Sequence, residues 1–404
     1  MMYIPRTIEK TIPLLSRQFK VVMVSGMRQV GKSTVLTRLA EPSRRSLTLD
    51  TEETANAAAQ SSIGFFKANP LPVFIDEIQR VPSLFLGVKY EVDRHEEKGL
   101  VWLSGSQRFD LMKGVGDSLA GRIYDQQLLP LSLYERFGLG LAQNPYLPSM
   151  DVSTNLAPMP SAELWKTIWQ GAWPDVIHVD AQARERYFES FIKTFIDKDV
   201  RETNNVEKTR AFDIFLRTLA LRTGQELRIG AVAAATGISE ITAKRWLSVA
   251  EASGIIYLLP PYFTNAGKTL VKSPKVYFTD TGLAAYLCDM TTPQELQKVH
   301  AGAFFETFVV MEILKSWVHN GLSPRFYFYR DARSQSEIDL IIHRNGTYYP
   351  IEIKSSSKPT IDMSRHFSEL KKLGLNVGQG AVICNCEQPR YLSDTVVAHS
   401  VCNL

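Results

Sequence analysis

Apolar positions along the chain fall into three kinds of run. Short dense runs at residues 19–24, 73–75 and 100–103 (FKVVMV, VFI and LVWL) predict strands buried inside an α/β sheet. Helical spacing appears at Tyr187, Phe188, Phe191 and Phe195, which reads as a core-facing stripe, and again over residues 301–318. That second helix, AGAFFETFVVMEILKSWV, carries Glu306 inside an otherwise apolar face. The third kind is the pair SEIDLIIHRNGTYYPIEIKSSSK (336–358), two strands joined by a turn at Asn345-Gly346. Asp339 lies among Ile338, Leu340, Ile341 and Ile342; Glu352 and Lys354 lie among Tyr349, Ile351 and Ile353. Buried charges are costly unless paired or bound to a metal, so these positions demand a reason. The runs RFYFYRD (325–331) and GAVIC (380–384) predict further strands nearby.

Between these runs the pattern changes twice. Residues 143–162 are rich in Pro, Ser and Asn and show no period, which predicts a linker. Residues 230–235 predict a helix, Gly237 a turn, and residues 239–253 a second helix with Ser239 as its N-cap. Strands are predicted to follow, from Ile255 onward and again in NAGKTLVKSPKVYF (265–278), giving a winged helix. Its second helix would present Glu240, Thr242, Lys244 and Arg245. From Lys208 to Lys275 there are ten lysines and arginines against four acids, in a chain of net charge +4. Such a face suits DNA; winged helices also serve as protein-docking or lid-like modules, and both readings stand here.

The glycine loop after the first strand supplies the clearest chemistry. Gly26, four residues, then Gly31, Lys32 and Ser33, followed by Thr34, fit a P-loop. Glycines let backbone N–H groups wrap phosphates at a helix N-terminus, Lys32 reaches the β/γ-phosphates of ATP, and Ser33 offers a hydroxyl to Mg²⁺. Asp76 and Glu77 end the second run as a Walker B pair. Asp76 would hold the Mg²⁺ and Glu77 would polarise the attacking water. At the end of the third run, Ser106 or Gln107 would sense the γ-phosphate. Arg122 is either an arginine finger for a neighbouring copy, implying a homo-oligomer, or a structural surface residue.

The segments SGMRQVGKST, FIDEIQRVP, LSGSQ, SLAGRI and LPLSLYE, with GAWPDV, FIDKDV and YFTDTGLAAYL later on, resemble a family of prokaryotic AAA-type ATPases related to the archaeal ATPases. The resemblance covers nearly the whole chain. The order Glu306, Asp339, Glu352-Ile353-Lys354 resembles the PD-(D/E)xK core of restriction-endonuclease-like folds. That resemblance implies Mg²⁺ held by Glu306, Asp339 and Glu352 with Lys354 beside the water, or else a salt-bridged remnant. The expected fold is α/β: a P-loop AAA-type domain over 1–140, a linker over 141–162, a helical and winged-helix domain over 163–290, and a nuclease-like α/β domain over 291–404. The expected function is Mg²⁺-dependent ATP hydrolysis coupled to DNA binding or processing, an ATP-controlled protein-docking switch, or an ATP-gated nuclease.

Composition limits the alternatives. At 404 residues, 45% hydrophobic and 22% charged, the chain is an ordinary multi-domain globular protein. No apolar run approaches a membrane span and the first residues lack a signal-peptide layout, so a cytoplasmic location without membrane contact is expected. Four cysteines do not suggest a disulfide framework. Cys384, Cys386, His399 and Cys402 match no common zinc spacing and read as structural.

Overall fold

The architecture is that of a computed structural model, which describes residues 3–106, 119–152, 156–197, 209–262, 273–331 and 335–404. The chain forms two compact units. The first holds residues 1–143 with 252–254 and 318–322, and the second holds the remainder.

In the first unit the dense apolar runs become a five-stranded sheet. Its strands are β1 (Val21–Ser25), β2 (Arg45–Thr48), β3 (Val73–Asp76), β4 (Val101–Gly105) and β5 (Ile123–Gln127), in the order β2-β3-β4-β1-β5. Every pairing is parallel. All residues of β1 and β4 are buried, as expected for strands covered on both faces. Alternation divides the side chains between those faces. Val21, Met23, Val73, Ile75 and Leu103 meet Ala58, Phe65, Phe66, Phe85, Val88 and Val92 from helices Glu52–Gln60, Ser62–Ala68 and Leu84–Asp93. On the other face the Trp102 indole donates to Ser16 Oγ of helix Thr11–Gln18 at 2.9 Å. Because the strands are parallel, the ends of β1, β3 and β4 lie along one edge, where α/β sheets bind ligands.

The second unit contains two sheets. The strands β6 (Gln225–Glu226), β7 (Ile256–Leu259) and β8 (Lys275–Phe278) form a three-stranded antiparallel sheet, order β6-β8-β7. The segment between β7 and β8 lies largely outside the described residues. Helices Thr209–Ala220, Ile229–Thr236 and Glu240–Ala252 accompany this sheet. The turn between the last two is set by Gly237 at φ 72°, which a side chain would strain, and by Ser239 Oγ accepting from the Thr242 N–H at 3.1 Å. The aromatic stripe is core: Phe188, Phe191 and Phe195 are buried, and ring contacts continue through Phe212 to Trp246.

The other sheet is mixed, with β9 (Phe326–Arg330), β10 (Glu337–Arg344), β11 (Thr347–Ile353), β12 (Gly380–Cys384), β13 (Arg390–Ser393) and β14 (Val396–Ser400) in the order β13-β14-β12-β11-β10-β9. The hairpin β10–β11 turns at Asn345 (φ 51°) and Gly346 (φ 76°), the left-handed pair that an Asn-Gly sequence favours. Helix Pro293–Val318 is kinked at His300, seven residues later than its start and just before the amphipathic run begins.

The stretch expected to be a linker is tied down where it is described. Tyr146 is buried; its N–H donates to Ser316 Oγ at 3.0 Å and its carbonyl accepts from the Trp317 indole at 2.8 Å. Its hydroxyl meets His399 Nε2 at 2.8 Å, and His399 Nδ1 faces the Ser400 carbonyl. Burial pushes His399 down to about 4, so the ring is neutral and serves as a hydrogen-bond relay. The four cysteines are free and buried.

Candidate functional site

Three strand ends and one loop build the site in the first unit. The loop leaves β1 at Gly26, whose φ is 148°; a Cβ there would lie 2.2 Å from the Leu128 carbonyl oxygen. Gly31, at φ 97°, is the N-cap of helix Lys32–Leu39. Lys32 is 5% exposed, and its Nζ donates back to the carbonyls of Gly26 (3.0 Å) and Met27 (2.7 Å), so the ammonium is folded into the loop. Ser33 Oγ donates to Asp76 Oδ1 at 2.8 Å, and Ser104 Oγ of β4 donates to the same oxygen. Thr34 is exposed on the first helical turn. The hydroxyl and carboxylate expected to share a cation are thus adjacent, and they fit Mg²⁺ as a hard oxygen pair beside the phosphates.

Glu77 follows β3 in the left-handed region, φ 58° and ψ 44°. For a residue with a Cβ this costs about 1–2 kcal/mol, a strain that gathers at functional positions. Gln79 Nε2 bonds the Glu77 carboxylate and also donates to Ser106 Oγ at 3.1 Å. Ser106 is therefore joined to the Walker B acid through Gln79, a residue the motif reading passed over. Gln107 lies outside the described residues. Arg122 precedes β5, at the sheet edge opposite the loop, and its guanidinium pairs with both oxygens of Asp93.

Behind the loop stands a buried ionic cluster whose carboxylate, Glu135, ends the segment LPLSLYE. Arg6 Nη1 donates to the Val30 carbonyl (2.6 Å) and Nη2 to the Leu129 carbonyl (2.8 Å). Its Nε lies 3.1 Å from Glu135 Oε2. Glu135 also accepts from the N–H groups of Thr7 and Ser132, at 2.8 Å each, and His319 Nδ1 lies 3.2 Å away. Burial alone would raise the Glu135 pKa, but Arg6 and His319 outweigh it and hold the carboxyl well below its usual range.

In the second unit the structure does bring Glu306, Asp339, Glu352 and Lys354 together, and it adds three residues. Lys275, 3% exposed on β8, places its Nζ 2.9 Å from Glu306, 2.8 Å from Glu337 and 3.8 Å from Asp339. Tyr277 donates its hydroxyl to Glu306 at 2.6 Å. Asp339 Oδ2 accepts from the Ile353 N–H at 2.8 Å. Lys354 Nζ sits 2.5 Å from Glu352 and 3.6 Å from Asp339. Burial would strip the Lys275 proton, yet Tyr277 and the surrounding carboxylates keep its pKa raised and the ammonium charged. Burial and the nearby Asp339 push Glu352 up to about 8, against the pull of Lys354. The expected oxygen cage thus has an ammonium among its acids. Among the described residues, no group of three or more His, Cys, Asp or Glu side chains is placed to hold a metal. The donor set does not fit a divalent ion.

Residues 18–137 match the family model of the AAA domain. That stretch of the chain, with its glycine loop, is similar to AAA domains. Residues 161–294 and 301–403 match two domains of unknown function, DUF8612 and DUF4143. Uncharacterized proteins of Mycobacterium bovis and Mycobacterium tuberculosis are 28% identical over 381 residues, covering 94% of this chain and 79% of theirs. Among solved structures, a Walker-type ATPase of Pyrococcus abyssi aligns with 69% of this chain and 94% of its own at 14% identity and a TM-score of 0.42. The RuvB Holliday junction branch migration motor of Thermotoga maritima aligns with 64% and 90% at 14% identity and a TM-score of 0.30. No helix among the described residues is long and apolar enough to cross a membrane.

Proposed function

We propose that the chain hydrolyses ATP with Mg²⁺ and couples its nucleotide state to DNA binding through its middle region. The observation that carries the hydrolysis is the contact of Ser33 with Asp76 at 2.8 Å, beside the strained Glu77. Lys32 would exchange its two carbonyl partners for the β/γ-phosphates. Ser33 and Asp76 would hold the Mg²⁺, which screens phosphate charge when bound. Glu77 would orient and polarise the water, with Gln79 fixing its carboxylate.

For DNA, the support is the helix Glu240–Ala252, which follows the Gly237 turn and exposes Lys244 and Arg245. We read this helix as the recognition helix of a winged helix. Phosphate contacts of this kind weaken steeply with salt. Fluorescence anisotropy with a labelled duplex from 50 to 200 mM salt, with and without ATP, tests the reading. It predicts affinity that falls with salt, depends on nucleotide, and drops for Lys244→Ala/Arg245→Ala. Equal affinity in the parent and the double variant would overturn it.

A further inference from the structure

The carboxylates of β10 and β11 raise a question that the ATPase site does not answer. Four acids converge there: Glu306 from helix Pro293–Val318, Glu337 and Asp339 from β10, and Glu352 from β11. Two lysines face them. Lys354 lies at the end of β11 and its side chain is 41% exposed, a position open to solvent and adaptable. Lys275 is different. It comes from β8, in a separate sheet, and is buried. Its Nζ lies 2.9 Å from Glu306, 2.8 Å from Glu337 and 3.8 Å from Asp339. A cleft of about 610 Å³, lined in part by Arg222, Arg228 and Arg330, opens onto this ring.

We infer that the Lys275 ammonium is the resident cation of this cluster, and that the carboxylates are set around it and not around a divalent ion. Three observations agree. The Lys275 contacts are to carboxylate oxygens from two different elements, as metal contacts would be. Tyr277, two residues along β8 on the same face, donates to the same Glu306 oxygen, so β8 satisfies that acid twice. Finally, a divalent ion beside a buried ammonium would pay like-charge repulsion with little water to screen it. In the folded chain the cluster therefore excludes Mg²⁺ and Mn²⁺, supplies no metal-bound water, and joins β8 to the larger sheet through charge. A divalent ion can enter only when Lys275 is taken away and the acids close again around the ion.

The test uses the full chain in an Asp76→Asn background, so that the nucleotide site does not contribute bound metal. Mn²⁺ binding is read by the loss of its free-ion paramagnetic resonance signal, and stability by thermal melting. In this background the chain with Lys275 should bind no Mn²⁺ at the cluster and show an unchanged melting temperature at saturating Mn²⁺. Lys275→Met should melt lower without metal, bind about one Mn²⁺ per chain and recover part of the loss when Mn²⁺ is added. The double variant Lys275→Met/Glu337→Gln removes one acid with the ammonium, relieving repulsion while keeping Glu306, Asp339 and Glu352, and should also bind Mn²⁺. Mn²⁺ bound as tightly with Lys275 present as without it would overturn the inference. So would folded variants of both kinds that fail to gain any Mn²⁺.

Discussion

Asp76 and Asp339 both sit at strand positions beside further acids, yet their surroundings differ in kind. Asp76 is bonded by two neutral hydroxyls, Ser33 and Ser104. Asp339 receives a backbone N–H and stands beside two ammonium groups, Lys275 and Lys354. A carboxylate held by hydroxyls keeps its charge available to an incoming cation. One beside a buried ammonium already has its cation inside the fold. The same residue type at similar positions thus lines the proposed nucleotide site in one unit and an internally neutralised cluster in the other.

Changes in the first region should have the largest effects. Gly26→Ala would force a Cβ to within 2.2 Å of the Leu128 oxygen, so the loop must move. Nucleotide binding should be lost, as read by titration with a fluorescent ATP analogue; unaltered affinity would show that the loop tolerates the shift. Next comes Arg6→Met, which leaves the fully buried Glu135 without its strongest charge partner and should cost about 3–5 kcal/mol in chemical denaturation. Because Arg6 also bonds Val30, the KM for ATP should rise in the folded fraction.

The two regions should also respond to pH with opposite signs. Glu135 has a depressed pKa in the fold, so its contribution is present above the ordinary carboxyl range and is lost as pH falls. Glu352 has a raised one, shifted from 4.5 to about 8 by burial first, then by Asp339 and Glu337 against Lys354. The folded state holds that proton while the unfolded chain releases it, so stability falls as pH climbs from about 4.5 to 8. Glu352→Gln should flatten this part of the melting-temperature profile, and a profile as steep as the parent's would place the titration elsewhere. The smallest effect belongs to Arg122→Ala. Its pair with Asp93 is exposed, and removing it should leave the melting temperature within experimental scatter. If Arg122 instead serves a neighbouring copy's nucleotide, ATPase activity per chain should rise with protein concentration in the parent and stay low in the variant.

The nucleotide site was legible in the sequence because its parts are local. Gly26, Gly31, Lys32 and Ser33 sit in one loop, and Asp76-Glu77 end a strand whose apolar run marks it. The sheet edge then follows from parallel pairing. What the pattern hid are contacts made across the fold. Arg6 lies 129 positions before Glu135 and carries no motif, and its partner is visible only once the chain closes. Gln79 is one polar residue after a Walker B pair, and nothing in its type marks the bridge to Ser106. Lys275 read as part of a basic surface, although it stands directly before the apolar Val276-Tyr277-Phe278 of a buried strand. A lysine in that setting signals an acid partner, as Asp339 and Glu352 signalled a cation. Glu337, two residues before Asp339 on the same strand face, carried the same signal.

The central claim is that the Ser33–Asp76–Glu77 edge is a working ATPase centre, and one comparison tests it most directly. Nucleotide retention and turnover are measured together for the parent, Lys32→Ala and Glu77→Gln. Lys32→Ala should lose ATP binding, because the phosphates lose their counter-charge. Glu77→Gln should retain ATP with Mg²⁺ yet turn it over about 10²–10⁴-fold more slowly, the usual loss when a positioned base is removed. Glu77→Gln hydrolysing ATP at the parent rate would contradict the account.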